Sequence, residues 1–320
     1  MSVLYIIGNG FDLYHQLKTR YTDFASYLEV QNQRILDDFN KYYYMDSNQE
    51  LWANFEANLS NLDTELVLDE LSDYLPGSFG GDFQDRDRYA FQIEIEMLVD
   101  RLTTEMKSEF KNFIVNACNA NSNKINNIKF IANSNFISFN YSNTLEKIYK
   151  IAREDILYIH GSAFENDSII LGHGVDPSKF TNDLVEAVPP EDLTEEEIEM
   201  WHQEMSDKFD YEYELGVTEV NKYLAASFKS SAEIINENKS YFASLQEIDT
   251  VVILGHSMSD VDMPYFDEIS KCIKKNSFWF VSYYSDAEHD ELYSSVQQFA
   301  QSDNYIKLFK IDDFSSLKIA

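Results

Sequence analysis

Cysteine, proline and glycine are scarce in this 320-residue sequence, with two, five and ten residues respectively. The two cysteines, Cys118 and Cys272, lie far apart and form no Cys-x-x-Cys pair, which excludes a four-cysteine zinc site. Two cysteines in a chain of this length are typical of a reducing compartment, so we expect a cytoplasmic protein.

Basic residues are also few, because 25 Lys and Arg stand against 56 Asp and Glu, for a formal net charge of −31. Such a charge repels phosphate backbones and anionic lipids, which argues against general nucleic-acid or membrane-surface binding. A small anionic ligand held by local backbone dipoles stays compatible with it. Apolar runs fall short of the ~20 residues of a membrane helix, and no signal peptide is predicted at the N-terminus.

Hydrophobic residues make up 44% of the chain, which is enough for a substantial core. Short β-branched and aromatic runs predict buried strands. These runs cover residues 3–8, 136–141, 156–161, 168–174, 251–257, 278–284 and 305–309. Helical patterns cover residues 21–45, 50–75, 91–117, 142–153, 217–245, 259–275 and 287–300. Near-continuous apolar strands alternating with helices indicate a doubly wound α/β fold with a mostly parallel sheet.

Acidic charge is concentrated in residues 181–220, which hold 14 Asp and Glu and a single Lys. Part of this stretch, 189–215, begins with Pro189-Pro190 and has a partly helical pattern. It is either a surface insertion or lid, or simply the solvated face of a helix.

Glycine and histidine cluster at the predicted strand ends. Six of the ten glycines and three of the six histidines lie there. They are Gly8, Gly10, Gly161, Gly172, Gly174, Gly255, His160, His173 and His256. Ligands of open parallel sheets bind outside the carboxyl ends of the strands, so these turns predict a ligand site along one sheet edge.

The first of these turns, Gly8-Asn9-Gly10, suits either a tight strand–helix connection or the approach of a pyrophosphate to the backbone. It lacks the third glycine and the later acidic strand end of a dehydrogenase fingerprint. Asp12, just inside the next helix, either contacts the ligand or caps that helix. Asn140 likewise either caps a helix or binds a ribose hydroxyl or a water.

Two histidines follow strand ends and are candidates for chemistry. A neutral imidazole at His160 would serve as a general base, with Gly161 opening space beside it. A lone histidine at a strand end is more often structural, but two further His-Gly neighbours at the same predicted edge favour a functional role. Near His256, Gly255 and Ser257 suit phosphate contacts, and Asp262 or Asp260 suits the start of the following helix.

Other catalytic motifs are absent from the sequence: it has no Gly-x-Ser-x-Gly elbow, His-Glu-x-x-His helix or P-loop. A metal-dependent phosphoesterase or nuclease stays an alternative, because histidine and aspartate side chains could bind Mn²⁺ or Zn²⁺. Its candidate ligands are His160, His173, His256, Asp12 and Asp262. Each histidine lies in its own turn, however, and no metal is expected.

An ordered set of motifs resembles the AbiH family of phage abortive-infection proteins across nearly the whole chain. These motifs are GNGFDL (8–13), LWANFE (51–56), FISFNYSNTLEKIY (136–149), IHGS (159–162), IILGHG (169–174) and LGHSMSDVDMPYF (254–266). The strand-end motifs also resemble, more distantly, the sirtuin-type NAD-binding domain, whose relatives in phage defence hydrolyse NAD.

The resemblance implies one Rossmann-like, sirtuin-like domain over residues 1–320, with a helical insertion at about 21–130 and an acidic, partly helical one at about 176–246. It implies Asn140 and His160 as catalytic residues acting on NAD. It further implies Gly8, Gly10, Gly255 and Ser257 as pyrophosphate contacts. We expect the same nucleotide site to include Asn9, Asp12, Gly161, His256 and Asp262.

Departures from the sirtuin pattern limit what can be carried over. The zinc-binding cysteines are missing, which argues against deacetylation, and Ser142 replaces an aspartate two residues after Asn140. Arg20 or Lys18 is a candidate for the missing phosphate-contacting arginine.

We therefore expect an antiphage effector that binds and hydrolyses NAD, with a non-catalytic nucleotide sensor as a further alternative. A phage-derived trigger and a homo-oligomer are compatible with the sequence, which identifies neither.

Overall fold

A computed structural model describes residues 2–43, 48–75, 88–120, 128–165, 169–180, 194, 197–200, 211–302 and 305–316. Within them a six-stranded, all-parallel sheet has the strand order β3-β2-β1-β4-β5-β6. The strands are β1 Val3–Ile7, β2 Asn135–Ser138, β3 Ile156–Tyr158, β4 Thr250–Leu254, β5 Phe278–Tyr283 and β6 Ile306–Lys310. This order is that of the Rossmann fold and reverses between β1 and β4.

Strand β1 shows why the sheet forms the core of its compact unit. All five of its residues are buried, with successive side chains on opposite faces. Leu4 and Ile6 belong to one apolar cluster, whereas Val3, Tyr5 and Ile7 belong to another. Both faces of the sheet are thus covered, which explains the continuous apolar sequence of the strand.

The helices follow the predicted pattern but are more interrupted. They are α1 Asn9–Tyr14, α2 Tyr21–Gln31, α3 Gln33–Tyr42, α4 Asn48–Ala53, α5 Phe55–Asn58, α6 Thr64–Leu71, α7 Ala90–Asp100, α8 Met106–Ala120, α9 Thr144–Tyr149, α10 Tyr211–Ala226, α11 Ser231–Glu237, α12 Lys239–Ala243, α13 Met263–Cys272 and α14 Asp286–Gln297. Helices α11 to α14 supply the apolar cluster around Leu4 and Ile6. In the described part of the chain, no helix is both long and apolar enough to cross a bilayer.

The predicted α/β fold is confirmed, but the strand predicted at 168–174 is wrong. Ile169, Leu171 and His173 are buried, yet the described residues of this stretch join the sheet nowhere, and His173 forms only an isolated bridge with Phe228. An apolar run predicts that a segment is buried, but it does not predict that the segment pairs with a strand. The strand prediction was wrong for this reason.

The chain divides into two compact units. The first comprises Met1–Gln31, Lys107–Leu171 and Lys229–Ala320, and it contains the whole sheet. The second comprises Asn32–Met106 and Gly172–Phe228. Apart from residues 172–175, the second unit lies within the ranges predicted as insertions, about 21–130 and 176–246. Those ranges also contain α2, α11, α12 and most of α8, which belong to the first unit. Residues 181–193, 195–196 and 201–210 of the acidic stretch lie outside the described residues.

The second unit is an all-helical assembly in its described part. Rings of Phe39, Trp52 and Phe55 pack together with centroids 4.9–5.6 Å apart. Helix α10 packs tightly on α7, because a Cβ at Gly216 would lie 2.3 Å from the ring of Phe91. A buried hydrogen bond between the Tyr43 and Tyr223 hydroxyls links distant parts of this unit.

We expect Gly255→Ala to destabilise the first unit by about 2 kcal/mol or more, because Gly255 has a φ of +65° and a new Cβ would lie 2.1 Å from the backbone nitrogen of Phe11. Chemical denaturation measures the change. The matched control is Lys150→Gly, which removes an exposed side chain at another left-handed position and should leave stability equal or higher. Equal effects of the two substitutions would contradict the packing argument.

Candidate functional site

The carboxyl ends of β1 and β4 are in direct backbone contact where the strand order reverses. The N–H of Gly8 donates to the carbonyl of Leu254 at 3.0 Å, and that of Gly10 donates to the carbonyl of Gly255 at 2.7 Å. A Cβ at Gly8 would lie 2.5 Å from Cα of His256. The glycines therefore form a tight strand–helix connection, and these two N–H groups are engaged within the protein.

Asn140 secures this turn from the neighbouring strand end. Its Nδ2 donates to the carbonyl of Gly8 at 2.9 Å, and only 6% of the residue is exposed. The alternative that Asn140 caps the next helix is wrong, because α9 begins after Asn143. Asn140 therefore lies beside the turn and stabilises it through this hydrogen bond.

Asp12 is a buried carboxyl next to this turn, with 1% of the residue exposed. Thr144 Oγ1 donates to its Oδ1 at 2.6 Å. Burial raises the pKa of Asp12 to about 6, against the lowering effect of hydrogen bonds from Ser142, Thr144 and Asn140. Asp12 thus titrates close to neutrality and lies inside α1, where its side chain bonds to the segment after β2.

A cleft of about 550 Å³ opens at the carboxyl ends of β1, β4 and β5. Its lining is Gly10, Leu13, Tyr14, Arg20, Gly255, His256, Ser257, Ser282, Tyr283, Tyr284, Glu288, Glu291, Leu292, Ile311 and Asp312. Four of the predicted site residues, Gly10, Gly255, His256 and Ser257, line it. This is the position at which open α/β sheets bind ligands, and the volume is typical of small-molecule pockets.

Two polar side chains of the cleft are available to a ligand. The guanidinium of Arg20 forms no ion pair with any residue that the structure describes, and the Ser257 hydroxyl forms no hydrogen bond there. Asn9, which is exposed, holds the Arg20 loop in place: Thr19 Oγ1 donates to its Oδ1 at 2.6 Å, and its Nδ2 donates to the Thr19 carbonyl. Lys18 does not line the described cleft.

Behind the cleft lies a buried group of titratable side chains around Asp262. Its carboxylate lies 3.1 Å from Nζ of Lys229, 3.6 Å from Nε2 of His256 and 3.9 Å from Nε2 of His160. Both histidines are nearly inaccessible to solvent, and the ring of Phe139 contacts both imidazoles. The structure therefore brings together three predicted residues from β3, β4 and the start of α13.

The tautomer of His256 follows from its hydrogen bonds. Nδ1 of His256 accepts from the N–H of Met258 at 2.8 Å, so the proton of the neutral ring lies on Nε2, facing Asp262. Burial lowers the pKa of His256 to about 4; Asp262 opposes this effect, while Lys229 strengthens it. His256 is therefore neutral at pH 7.

His160 has the opposite arrangement. A backbone hydrogen bond to Phe139 engages the ring, while Nε2 has no hydrogen-bond partner in the described part of the chain. Nδ1 therefore carries the proton, and Nε2 has a bare lone pair. Burial and Lys229 lower the pKa of His160 well below its usual range, against Asp262. Gly161 follows with a φ of +80°, which turns the chain away after the imidazole.

Lys229 is a member of this group that sequence reasoning missed. Lysine is among the residue types that are least often fully buried, and nothing in the sequence around position 229 marks it as different. Only the three-dimensional contact with Asp262 identifies it.

The metal alternative gains no support from the described residues. Among them no group of three or more His, Cys, Asp and Glu side chains is arranged to hold a metal ion. Nδ1 of His173 accepts from Val175, and its Nε2 donates to the carbonyl of Leu224 at 2.9 Å, so both of its nitrogens are engaged. Lys229, in turn, places a positive charge on the Asp262 oxygen that a cation would need.

The fold defines an α/β protein of the Rossmann-like class, with a cleft where the strand order reverses. A family model described as "Bacteriophage abortive infection AbiH" matches residues 4–283. The chain belongs to this family and has a role in bacteriophage abortive infection. No curated protein and no solved structure matches the chain.

We expect Asp12→Asn to change how stability depends on pH. Because the pKa of Asp12 is about 6 in the folded protein and near 4 when unfolded, the folded state binds the proton more tightly, and stability falls as pH rises from 4 to 6. The variant lacks this loss, so it should gain about 2 kcal/mol relative to wild type between pH 4 and pH 7.

Urea denaturation at both pH values measures this gain. The control is Asp260→Asn, because Asp260 is exposed. Equal pH profiles for Asp12→Asn and wild type would contradict the prediction.

Proposed function

We propose that this abortive-infection protein binds NAD in the cleft at the carboxyl ends of β1, β4 and β5, and hydrolyses its nicotinamide–ribose bond. The observation that carries the proposal is the position of the cleft. It opens where the strand order reverses, and its lining includes the Arg20 guanidinium and the Ser257 hydroxyl, which have no intramolecular partner in the described part of the chain. A guanidinium and a hydroxyl are ordinary ligands of a pyrophosphate.

Arg20 is the natural anchor for the phosphates. Because the chain carries a net charge of −31, few of its surfaces attract an anionic ligand at long range. Glu288, Glu291 and Asp312 also line the cleft and repel phosphate, so the pyrophosphate belongs on the side of Arg20 and Ser257. The tyrosines Tyr14, Tyr283 and Tyr284 offer aromatic surface to the bases.

The reaction replaces the carbon–nitrogen bond of the nicotinamide riboside by a carbon–oxygen bond. Nicotinamide leaves with the bonding electron pair and becomes neutral, the sugar passes through an oxocarbenium-like state, and water adds to the anomeric carbon. His160 is the residue suited to take the proton of that water, because its Nε2 lone pair is free whereas Nε2 of His256 carries a proton. Asn140 orients the reacting groups from the adjacent strand end.

A conformational step is part of this proposal. Nε2 of His160 is covered by protein, with the rings of Phe139, Tyr141 and Tyr265 around the imidazole at centroid distances of 5.4–6.4 Å. Binding has to shift some of these side chains before water reaches the nitrogen. Such a requirement is compatible with an effector that stays inactive until a phage-derived trigger acts on it.

The second candidate is a nucleotide sensor that performs no chemistry. Burial of both His160 and Asn140, together with the bond from Asn140 to the Gly8 carbonyl, favours it. In that case the same cleft binds the nucleotide and its occupancy alone is the signal.

We expect Arg20→Ala to weaken NAD binding at least tenfold, because it removes a charge-assisted hydrogen bond to phosphate worth about 1.5–3 kcal/mol. Isothermal titration calorimetry with the purified chain and NAD measures the loss. Lys18→Ala is the matched control, since Lys18 is an exposed cation two residues away that does not line the described cleft. If NAD does not bind to wild type, or if both variants bind equally, the placement of the phosphates is wrong.

We expect His160→Ala to reduce nicotinamide release by 100-fold or more while leaving NAD affinity within a few-fold, because a general base contributes about 10²–10⁴ in rate. Chromatography of NAD incubated with the protein, with and without phage infection of the producing cells, measures release. His289→Ala is the control, because His289 is half-exposed and lies outside the cleft lining. Binding without release by wild type in either condition would favour the sensor.

A further inference from the structure

Lys229 is a buried lysine with a specific partner. Its side chain is only 2% exposed, and its Nζ lies 3.1 Å from Oδ1 of Asp262. Removing an ammonium and a carboxylate from water is costly, and the cost is often not recovered by their mutual attraction. A pair of this kind next to two histidines therefore calls for an explanation other than stability alone.

Asp262 is the hub of this arrangement. Both of its oxygens are in use: Oδ1 faces Lys229 and His160, while Oδ2 faces His256 and accepts from Ser259 Oγ at 3.2 Å. The titratable groups that surround the two imidazoles are thus Lys229, Asp262 and each other. Tyr141 and Tyr265 complete the set as phenols whose rings lie near His160.

Without Lys229, the same geometry would favour a protonated histidine. A buried carboxylate less than 4 Å from two imidazole nitrogens attracts a proton to one of them and forms an ion pair. The ammonium of Lys229 pairs with the Asp262 carboxylate instead, so that neither histidine needs to be protonated. Lys229 accordingly lowers the pKa of both His160 and His256, whereas Asp262 raises both.

We propose that Lys229 is a positioning residue of the NAD site: its ammonium, held by Asp262, keeps His160 and His256 uncharged and so leaves Nε2 of His160 free to accept a proton. This inference rests on the proposed function in one respect, namely that the lone pair acts as a base in NAD hydrolysis. The charge relation among the four side chains does not depend on it. The role of Lys229 is indirect, because it acts through Asp262 and makes no contact with the reacting atoms.

Histidine titration tests the charge relation directly. The imidazole signals of the purified chain are followed by NMR from pH 5 to pH 9 in wild type, Lys229→Met, Lys229→Arg and the double variant Lys229→Met/Asp262→Asn. Lys271→Met is the matched control, because Lys271 pairs with acidic residues at the surface with 61% of its side chain exposed.

In wild type neither His160 nor His256 should have its titration midpoint between pH 5 and pH 9, whereas in Lys229→Met at least one of them should have its midpoint within that range. Lys229→Arg should restore the low value, because it keeps the charge, and so should the double variant, because it removes both charges. The control should match wild type. Low pKa values for both imidazoles in Lys229→Met would overturn the proposal.

Stability supplies a second readout if Lys229→Met folds poorly. A histidine whose folded-state pKa is raised stabilises the fold below its unfolded pKa, and this stabilisation is lost as pH rises through the folded value. The melting temperature of Lys229→Met should therefore approach that of wild type as pH falls from 8 to 5. A deficit that does not shrink would show that Lys229 acts only by packing, and would overturn the proposal.

Enzyme kinetics separates this inference from the proposed function. If wild type hydrolyses NAD, Lys229→Met should lose about tenfold in rate at pH 7 for each unit by which the pKa of His160 comes to exceed 7, and it should recover the rate near pH 9. If wild type does not hydrolyse NAD, the proposed reaction fails while the titration result still stands. An equal loss at all pH values would contradict a role through histidine charge.

Discussion

The structure depends on one close contact, in which the backbone after β1 lies directly on the backbone after β4. Two N–H···O bonds join Gly8 to Leu254 and Gly10 to Gly255, and no side chain fits between them. This contact fixes the centre of the sheet and the place where the strand order reverses. The cleft opens above this contact. Asn140, which follows β2, stabilises the contact by donating a hydrogen bond to the carbonyl of Gly8. A Cβ at Gly8, Gly10 or Gly255 would clash with the facing backbone and force it to shift.

Much of the fold was predictable because the strands of a sheet that is buried on both faces are continuously apolar. Five-residue runs such as VLYII and TVVIL are apolar on both faces, and a parallel sheet covered on both sides requires that. The stretch 168–174 has the same composition without joining the sheet, because burial and pairing are separate properties. Helix interruptions such as that between α2 and α3 depend on local packing that a periodic pattern does not record.

The site was predictable only in part, for a related reason. Sequence position placed the glycines and histidines at strand ends, and the topology then gathered those of the first unit at one edge. The partners of each side chain were not predictable, because they come from distant parts of the chain: Asn140 bonds to Gly8, 132 residues away, and Lys229 to Asp262. The direction of a histidine nitrogen, which decides whether it can act as a base, is a property of such contacts.

The pairing of β1 with β4 also has a consequence for biosynthesis. Val3 lies opposite Thr250, so the first strand to be made has to wait for a partner made about 250 residues later. At roughly 5–20 residues per second, that interval is on the order of ten seconds to one minute. Neither the glycine contact nor the cleft exists during this time. A ribosome-bound chain therefore carries no assembled site, and the cleft is complete only once translation has passed Asp312.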